Sequence, residues 1–403
     1  MMILIRLSSF IFCNPKIQLK KGQEAIKVDM DKLDPFVRKI TGYQMAEFAG
    51  GSKFANRDTL LARITPYLEN GKTAYVDILK EGEIAFGSTE FIVLRARENI
   101  SDPLFIYYFA ISPQFREKAI SLMSGTSGRQ RVDVKALSQL CFSLPSLNQQ
   151  KRIAEFLGAF DDKIELLQKQ NKTLEEMAKA TFKSWFVDFD VVKAKQRSDA
   201  KADIMREYHL TEQLYDLFPS SFTDSALGPI PLGWEVKTLG DFFPVKTGKK
   251  DANVAGKTGK FPFFSCSQSI LYTNEYSFDA SALLLAGNGD FNLKWYRGKF
   301  EAYQRTYVLI PFHSQDLSYL YYAMLFFLND ITLGSQGSVI KFITKGMIEN
   351  YSLTIPNQPL WGAITSYFEE FIDKIELNKK QIQTLTELRD SLLPRLISGK
   401  IRV

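Results

Sequence analysis

The chain has 403 residues, 45% apolar and 24% charged, with 24 Gly and 15 Pro. This is globular composition at a length suited to two or three domains, and it excludes extensive disorder, whose signature is low hydrophobicity with high net charge. The formal charge of +6 at pH 7 divides unevenly: residues 1–147 hold 20 Lys/Arg against 15 Asp/Glu, and residues 205–358 hold 13 against 14. Such a balance permits nucleic-acid binding without demanding it.

From the N-terminus, Met1 to Cys13 is apolar, but Arg6 interrupts it and Phe12 stands where a leader would carry a small residue. A first β-strand is the better reading. Cys13, Cys141 and Cys266 lie far apart with no CxxC pair, which argues against a disulfide framework or a thiolate zinc site and favours a reducing, cytoplasmic location. The longest apolar run, Tyr319 to Leu328, is half of what a helix needs to cross a bilayer, so no membrane role is expected.

The dominant feature is an internal repeat. Leu144-Pro145 and Ile355-Pro356 open two segments that align without gaps at an offset of 211 residues. Asp162-Lys163-Ile164-Glu165-Leu166 recurs as Asp373-Lys374-Ile375-Glu376-Leu377, and Thr173-Leu174 recurs as Thr384-Leu385. Upstream, Asp102-x-x-Phe105-Ile106-Tyr107-Tyr108 matches Asp316-x-x-Tyr319-Leu320-Tyr321-Tyr322. Weaker echoes relate Gly82–Leu94 to Gly298–Ile310 and Leu60-Leu61-Ala62 to Leu284-Leu285-Ala286. The chain is two copies of one unit.

Each copy has a strand-rich front and a helical back. Short β-type runs are expected at Thr73–Ile78, Glu90–Leu94, Ala282–Leu285 and Thr306–Ile310, with one helical stretch near Leu104–Leu122 or Leu317–Leu328. In the backs, Ile153, Leu157, Phe160, Ile164, Leu167, Asn171, Leu174 and Ala178 follow a 4-3-4-3 spacing. Ile364, Phe368, Phe371, Ile375, Asn378, Ile382 and Leu385 do the same, the pattern of a coiled-coil seam. In an antiparallel pair a faces d, so a register setting Asn171 opposite Asn378 also pairs Ile164 with Leu385, Leu167 with Ile382 and Leu174 with Ile375. A buried amide is costly without a partner, so mutual pairing of the two asparagines would fix that register. Helices of about 36 to 45 residues would be roughly 55 to 65 Å long, a calliper between two binding surfaces.

The expected architecture is therefore α+β, with pseudo-two-fold duplication and a long antiparallel helix pair between two similar domains. Its parts are a first front over 1–147, a helix over 148–195, a linker over 196–232, a second front over 233–357 and a second helix over 358–403. Catalytic patterns are sparse. His209 and His313 are the only histidines and read as solvated, and a metal site is not expected. Gly71-Lys72-Thr73 has Pro66 where a phosphate loop needs its first Gly, and Gly287-Asn288-Gly289 has Asn292 in place of the third Gly of a dinucleotide fingerprint. The residues read as a binding protein rather than a self-contained modification or cleavage enzyme.

Three stretches resemble a known family. The Leu-Pro-x-x-x-Gln-Gln-Lys-Arg-Ile-Ala start at Leu144, the Asp-Lys-Ile-Glu helix, and Trp185-Phe186-Val187-Asp188-Phe189-Asp190 with Lys193-Ala194-Lys195 resemble the first conserved region of specificity subunits of type I restriction–modification systems. Leu227-Gly228-Pro229-Ile230-Pro231-x-Gly233-Trp234 resembles the entry to their second target-recognition domain, and Ser391 to Ile401 resembles their C-terminal conserved region. The resemblance implies a non-catalytic DNA-binding subunit whose two fronts are target-recognition domains reading a split target in double-stranded DNA. It also implies docking of two methyltransferase (modification) subunits and recruitment of restriction (motor-nuclease) subunits. No cofactor is implied on this chain, S-adenosylmethionine, ATP and Mg being expected on the partners. Relative to the family about ten residues are missing before Leu7-Ser8-Ser9-Phe10: either translation starts upstream, or the first unit is truncated, which leaves an assembly scaffold with impaired DNA reading as the alternative.

Duplex recognition needs cationic and hydroxyl groups for phosphates, with Arg, Lys, Asn or Gln for base edges. In the first unit the candidates are Lys20, Lys21, Arg63, Tyr67, Thr126, Ser127, Arg129, Gln130 and Arg131. In the second they are Lys249, Lys250, Asn288, Lys294, Trp295, Gln304, Arg305, Ser338 and Lys341. The aromatic pairs Tyr107-Tyr108 and Tyr321-Tyr322 recur on helices and are expected to pack rather than stack on bases.

Overall fold

A computed structural model describes residues 2–289, 291–333 and 342–403. The chain divides into two compact units, Met1–Gln168 with Lys379–Val403, and Lys169–Asn378. Two 40-residue helices, α1 (Leu147–Phe186) and α2 (Gln358–Ile397), each contribute to both units.

In the first unit, Met2–Arg6 pairs antiparallel with Cys141–Pro145 beside the start of α1. The front consists of two four-stranded sheets. One has the order Ile11–Cys13, Phe91–Ala96, Thr59–Ala62, Thr73–Tyr75, and the other Gln44–Glu47, Glu24–Val28, Ile84–Gly87, Ser52–Ala55. The second unit repeats this plan. Glu235–Thr238 pairs with Ser352–Ile355, and a six-stranded sheet follows the order Val245–Thr247, Thr306–Leu309, Phe278–Ala286, Leu293–Ala302, Phe261–Phe264, Leu271–Thr273. Phe278–Ala286 and Leu293–Ala302 each do the work of two strands in the first unit. A parallel strand pairing also recurs, Val28 with Gly87 in the first unit and Phe264 with Ala302 in the second.

The expected single helix after Asp102 is two, Pro103–Ile111 and Pro113–Ser121. Ser112 is extended at ψ 147°, as the residue before a proline prefers, and caps the second helix through its side chain. In the second unit the corresponding break falls between Leu317–Phe326 and Leu328–Leu333. Tyr107, Tyr108, Tyr321 and Tyr322 are all buried in the core, as expected.

The helices pair antiparallel within each unit. In the second unit, Asn378 Nδ2 donates to Asn171 Oδ1 at 2.8 Å, and the ring of Phe182 lies 6.1 Å from that of Phe368. In the first, Ile153 and Leu157 share a core with Leu393, Leu396 and Ile397. There the buried Arg389 donates to Asp161 at 2.5 Å, and Tyr108 donates its hydroxyl to the same carboxylate at 2.6 Å. Burial opposes the Arg389 charge, but the Asp161 and Asp390 carboxylates outweigh it and raise its pKa. Burial, and then the Asp161 charge, pushes the Tyr108 hydroxyl far above its usual value.

Three features differ from the sequence reading. Phe160 and Phe371 are only half-buried, and the fully enclosed positions are one residue on, at Asp161 and Ile372. The helices bury two faces, one toward each other and one toward their own front, so a single seam does not describe them. The first helix stops at Phe186: Phe189 adopts a left-handed φ of 56° and opens a separate helix, Asp190–Gln196. Residues 196–232 are a packed segment rather than a plain linker. They carry the helices Lys201–Glu207 and Glu212–Leu217, and bury Ile204, Leu210, Leu214, Phe218 and Ile230 in one cluster with Trp185 and Trp234.

The repeat offset places Ile372 and Ala178 at the positions of Asp161 and Arg389, and the Tyr322 hydroxyl correspondingly has no hydrogen-bond partner among the described residues. Removing one member of a buried ion pair costs about 3–5 kcal/mol, whereas replacing both by apolar groups can be neutral. Arg389→Ala is therefore expected to destabilise the first unit by that order. Adding Asp161→Ile, which copies the second unit, should recover more than half of the loss. Urea unfolding followed by circular dichroism tests the pair; a double variant no more stable than Arg389→Ala would contradict it.

Candidate nucleic-acid interface

In each front several loops are tied to one another by backbone hydrogen bonds. In the first unit, Met123–Ser124 and Arg131–Val132 form a hairpin whose tip carries Thr126, Ser127 and Arg129, all exposed. Gly125 and Gly128 take φ of 126° and 79°, which a side chain would oppose, and Arg129 N–H closes the turn onto Thr126 O at 2.9 Å. The hairpin is tied to the turn after Thr59–Ala62. Thr65 N–H donates to Gln130 O, Val132 N–H donates to Arg63 O, and Ile64 bridges Arg131. The structure thus brings Arg63, Gln130 and Arg131 together, with Tyr67 exposed on the adjoining turn, its ring 5.2 Å from Lys72 Nζ.

Lys20 and Lys21 do not join this group. They are exposed on the turn leading into Glu24–Val28, in the other sheet, where Gly22 N–H donates to Phe48 O. Arg131 is also not a free donor. Its Nε lies 2.9 and 3.0 Å from the two Glu90 carboxylate oxygens and its Nη2 lies 2.7 Å from one of them, while Arg63 Nε is 4.0 Å from the same carboxylate. Glu90 was not singled out by the sequence. The one available signal was the echo between Gly82–Leu94 and Gly298–Ile310, and it is blurred by a one-residue slip between that alignment and the strand pairing.

In the second unit four loops converge. Gly248 N–H donates to Thr306 O, Gln304 N–H to Lys250 O, Gly287 N–H to Arg305 O, and the Cys266 thiol to Arg305 O. A Cβ on Gly248 would lie 2.2 Å from Ala302 O, so this close approach requires glycine. Lys249, Gln304 and Arg305 are exposed, and Asn288 is half-exposed, bridged through its backbone to Phe342. Arg305 has no side-chain ion pair among the described residues.

Several candidates here are already engaged. Lys250 donates to Glu275 at 3.0 Å, which raises its pKa, and Gln304 Nε2 lies 3.4 Å from Asp251. Lys294 is drawn inward, donating to Ser267 O at 2.8 Å and to Asn292, and burial lowers its pKa. Trp295 packs against the core, with Arg297 over its ring. Ser338 and Lys341 lie outside the described residues.

A further feature was not legible in the sequence. In both units the aspartate of the repeated Asp-Lys-Ile-Glu motif receives an arginine from the front: Arg38 donates to Asp162 at 2.5 Å and to Glu165 at 2.8 Å, and Arg297 donates to Asp373 at 3.0 Å and to Glu369. The two arginines come from different strands and loops, so the sequence repeat does not align them.

Other chemistry is sparse. His209 and His313 are exposed, and among the described residues no group of three or more His, Cys, Asp and Glu could hold a metal. Burial pushes the Cys13 thiol up to about 11, against the lowering effect of Arg97. No described helix is long and apolar enough to cross a membrane.

The family model described as type I restriction modification DNA specificity domain matches this chain twice, over residues 17–176 and 231–387. The type I restriction enzyme EcoDI specificity subunit of Escherichia coli is 36% identical over 178 residues, which cover 43% of this chain and 40% of that protein. The MjaIX specificity subunit of Methanocaldococcus jannaschii is 28% identical over 320 residues, 73% of this chain and 68% of that one. The crystal structure of the type I restriction–modification system S subunit from M. genitalium aligns over 98% of this chain and 96% of its own, with a TM-score of 0.55 at 17% identity, a likeness of fold.

The two kinds of cation separate by stability. Lys294→Met removes two side-chain hydrogen bonds of a half-buried ammonium, worth about 1–2 kcal/mol together, and should lower the unfolding temperature of the second unit by several degrees. Arg305→Ala, at an exposed position of the same unit, should leave it unchanged. Tryptophan fluorescence reports the second unit alone, since all four Trp lie in it. An unaltered Lys294→Met transition would show that its ammonium is not structural.

Proposed function

The chain belongs to the family of type I restriction–modification DNA specificity domains, and from that premise we propose that it is the non-catalytic subunit that reads a bipartite duplex target, one half with each unit. The observation that carries this reading is the doubled front: one strand order and one pattern of loop hydrogen bonds beneath loops of unlike sequence. A repeated frame with different side chains suits two different base sequences. The exposed cations Arg129, Lys249 and Arg305 supply the sequence-independent attraction to phosphates, and the backbone frame brings polar side chains to the base edges. The two helices run unbroken through both units, and we assign them the setting of the gap between the half-targets.

We assign partner docking to the helices as well. Each unit exposes its own copy of an apolar pair, Leu166 with Leu388 in the first and Leu377 with Met177 in the second, related by the repeat offset. One methyltransferase subunit on each unit would bring S-adenosylmethionine chemistry to each half-target. Restriction subunits would then bring ATP and Mg for translocation and cleavage, in the cytoplasm where the DNA lies.

Competition binding tests this reading. The chain assembled with its methyltransferase subunits should hold a duplex carrying its methylated motif at least about 10³-fold more tightly than a scrambled duplex of equal length. Equal affinity for the two would leave an assembly scaffold and overturn the reading.

A further inference from the structure

The loop ends of the two units share one backbone frame. In the first, Arg63 N–H donates to Glu90 O at 2.9 Å, Val132 N–H donates to Arg63 O at 2.9 Å, and Ile64 bridges Arg131 in antiparallel fashion. In the second, Gly287 N–H donates to Arg305 O at 2.9 Å, Ile343 N–H donates to Gly287 O at 3.0 Å, and Asn288 bridges Phe342 in the same sense. The same donors meet the same acceptors, so position 63 corresponds to 287, 64 to 288, 90 to 305 and 131 to 342.

On this shared frame the side-chain chemistry is inverted. Glu90 is replaced by Arg305 and Arg131 by Phe342, a charge reversal beside the loss of a cation. In the first unit the Glu90 carboxylate grips Arg131 through Nε and Nη2, while Arg131 Nη1 donates to Arg129 O at 3.3 Å. Three of the five guanidinium N–H groups are thereby fixed, the plane is set, and the remaining N–H groups belong to a side chain that is 42% exposed. In the second unit no carboxylate among the described residues holds the arginine. Arg305 is exposed beside Asn288 and the exposed ring of Phe342, and Gly287 carries no side chain because a Cβ would lie 2.5 Å from Arg305 O.

We infer that these four matched positions are the specificity-determining positions of the two fronts, and that Glu90 is a positioning residue acting through Arg131. A guanidinium held in plane suits the paired acceptors of a guanine edge, whereas an asparagine with an apolar ring suits an adenine edge with a neighbouring thymine methyl. The inference rests on the DNA-reading assignment above and goes further by naming which side chains set each half-target and by making the halves separable.

The test is a map of methylated adenines in a methylation-free bacterial host expressing the full chain with its modification subunit. Parent, Glu90→Gln, Glu90→Asp and Arg305→Ala are compared. Glu90→Gln should reduce base discrimination in one half-target by about 5- to 150-fold at one or two positions and leave the other half unchanged. Glu90→Asp should restore part of it, and Arg305→Ala should affect the opposite half only. A structural role for Glu90 alone would instead lower methylation at all sites with the motif intact. That result, or parental motifs from both Glu90→Gln and Arg305→Ala, overturns the inference while leaving DNA reading in place. A parent complex without any sequence preference overturns the DNA-reading assignment and this inference with it.

Discussion

The antiparallel contact between the two long helices is the constraint from which the other features follow, and polar groups inside it fix its register. Apolar seams tolerate sliding by a heptad, because one leucine replaces another at little cost. A buried amide does not. Asn378 is fully enclosed and its amide nitrogen donates to Asn171, while its carbonyl oxygen finds no donor among the described residues. Any other register would leave the enclosed Asn378 amide without that partner. In the other unit Asp161, Arg389 and Tyr108 perform the same task with charge. Such groups add little net stability and penalise alternatives heavily, which is the use expected of them where alignment matters.

The same helices serve a second face. Each front docks on the helix that follows it, with an arginine on the aspartate of the repeated motif and a buried tyrosine pair beneath. The duplication has kept this plan while exchanging its parts. Asp161 with Arg389 in one unit corresponds to Ile372 with Ala178 in the other, and Arg38 and Arg297 reach equivalent aspartates from different segments. What is retained is the placement of the front on its helix rather than any one contact. That is the expected outcome if each front must hold its loops steady while the loops themselves diverge.

Much of this plan was legible in the sequence because it rests on spacing. The gapless offset of 211 residues revealed the duplication, the 4-3-4-3 pattern revealed the seam, and the two asparagines fixed its register. The remainder depended on partners distant in the chain. Nothing local marks Asp161 as buried, since Tyr108 and Arg389 close over it from distant segments, and Arg131 read as a donor to DNA because Glu90 lies 41 residues away. Residues 196–232 read as a linker because their apolar side chains are spaced among charges, and only Trp185 and Trp234 give them a core to join. Loop cations were the least legible class. Lys294 and Lys250 are satisfied internally and Arg305 has no such partner among the described residues, a distinction that strand pairing decides and composition does not.

The claim most open to direct trial is mechanical: the paired helices set the gap between half-targets. Inserting one heptad into each helix at the level of Asn171 and Asn378 preserves the phase of both seams and lengthens the pair by about 10 Å, or roughly 3 base pairs. Methylation mapping with the lengthened chain should return both half-targets with unchanged bases and a spacer longer by about that amount. Unchanged half-targets at the original spacing would show that the helices do not measure the gap.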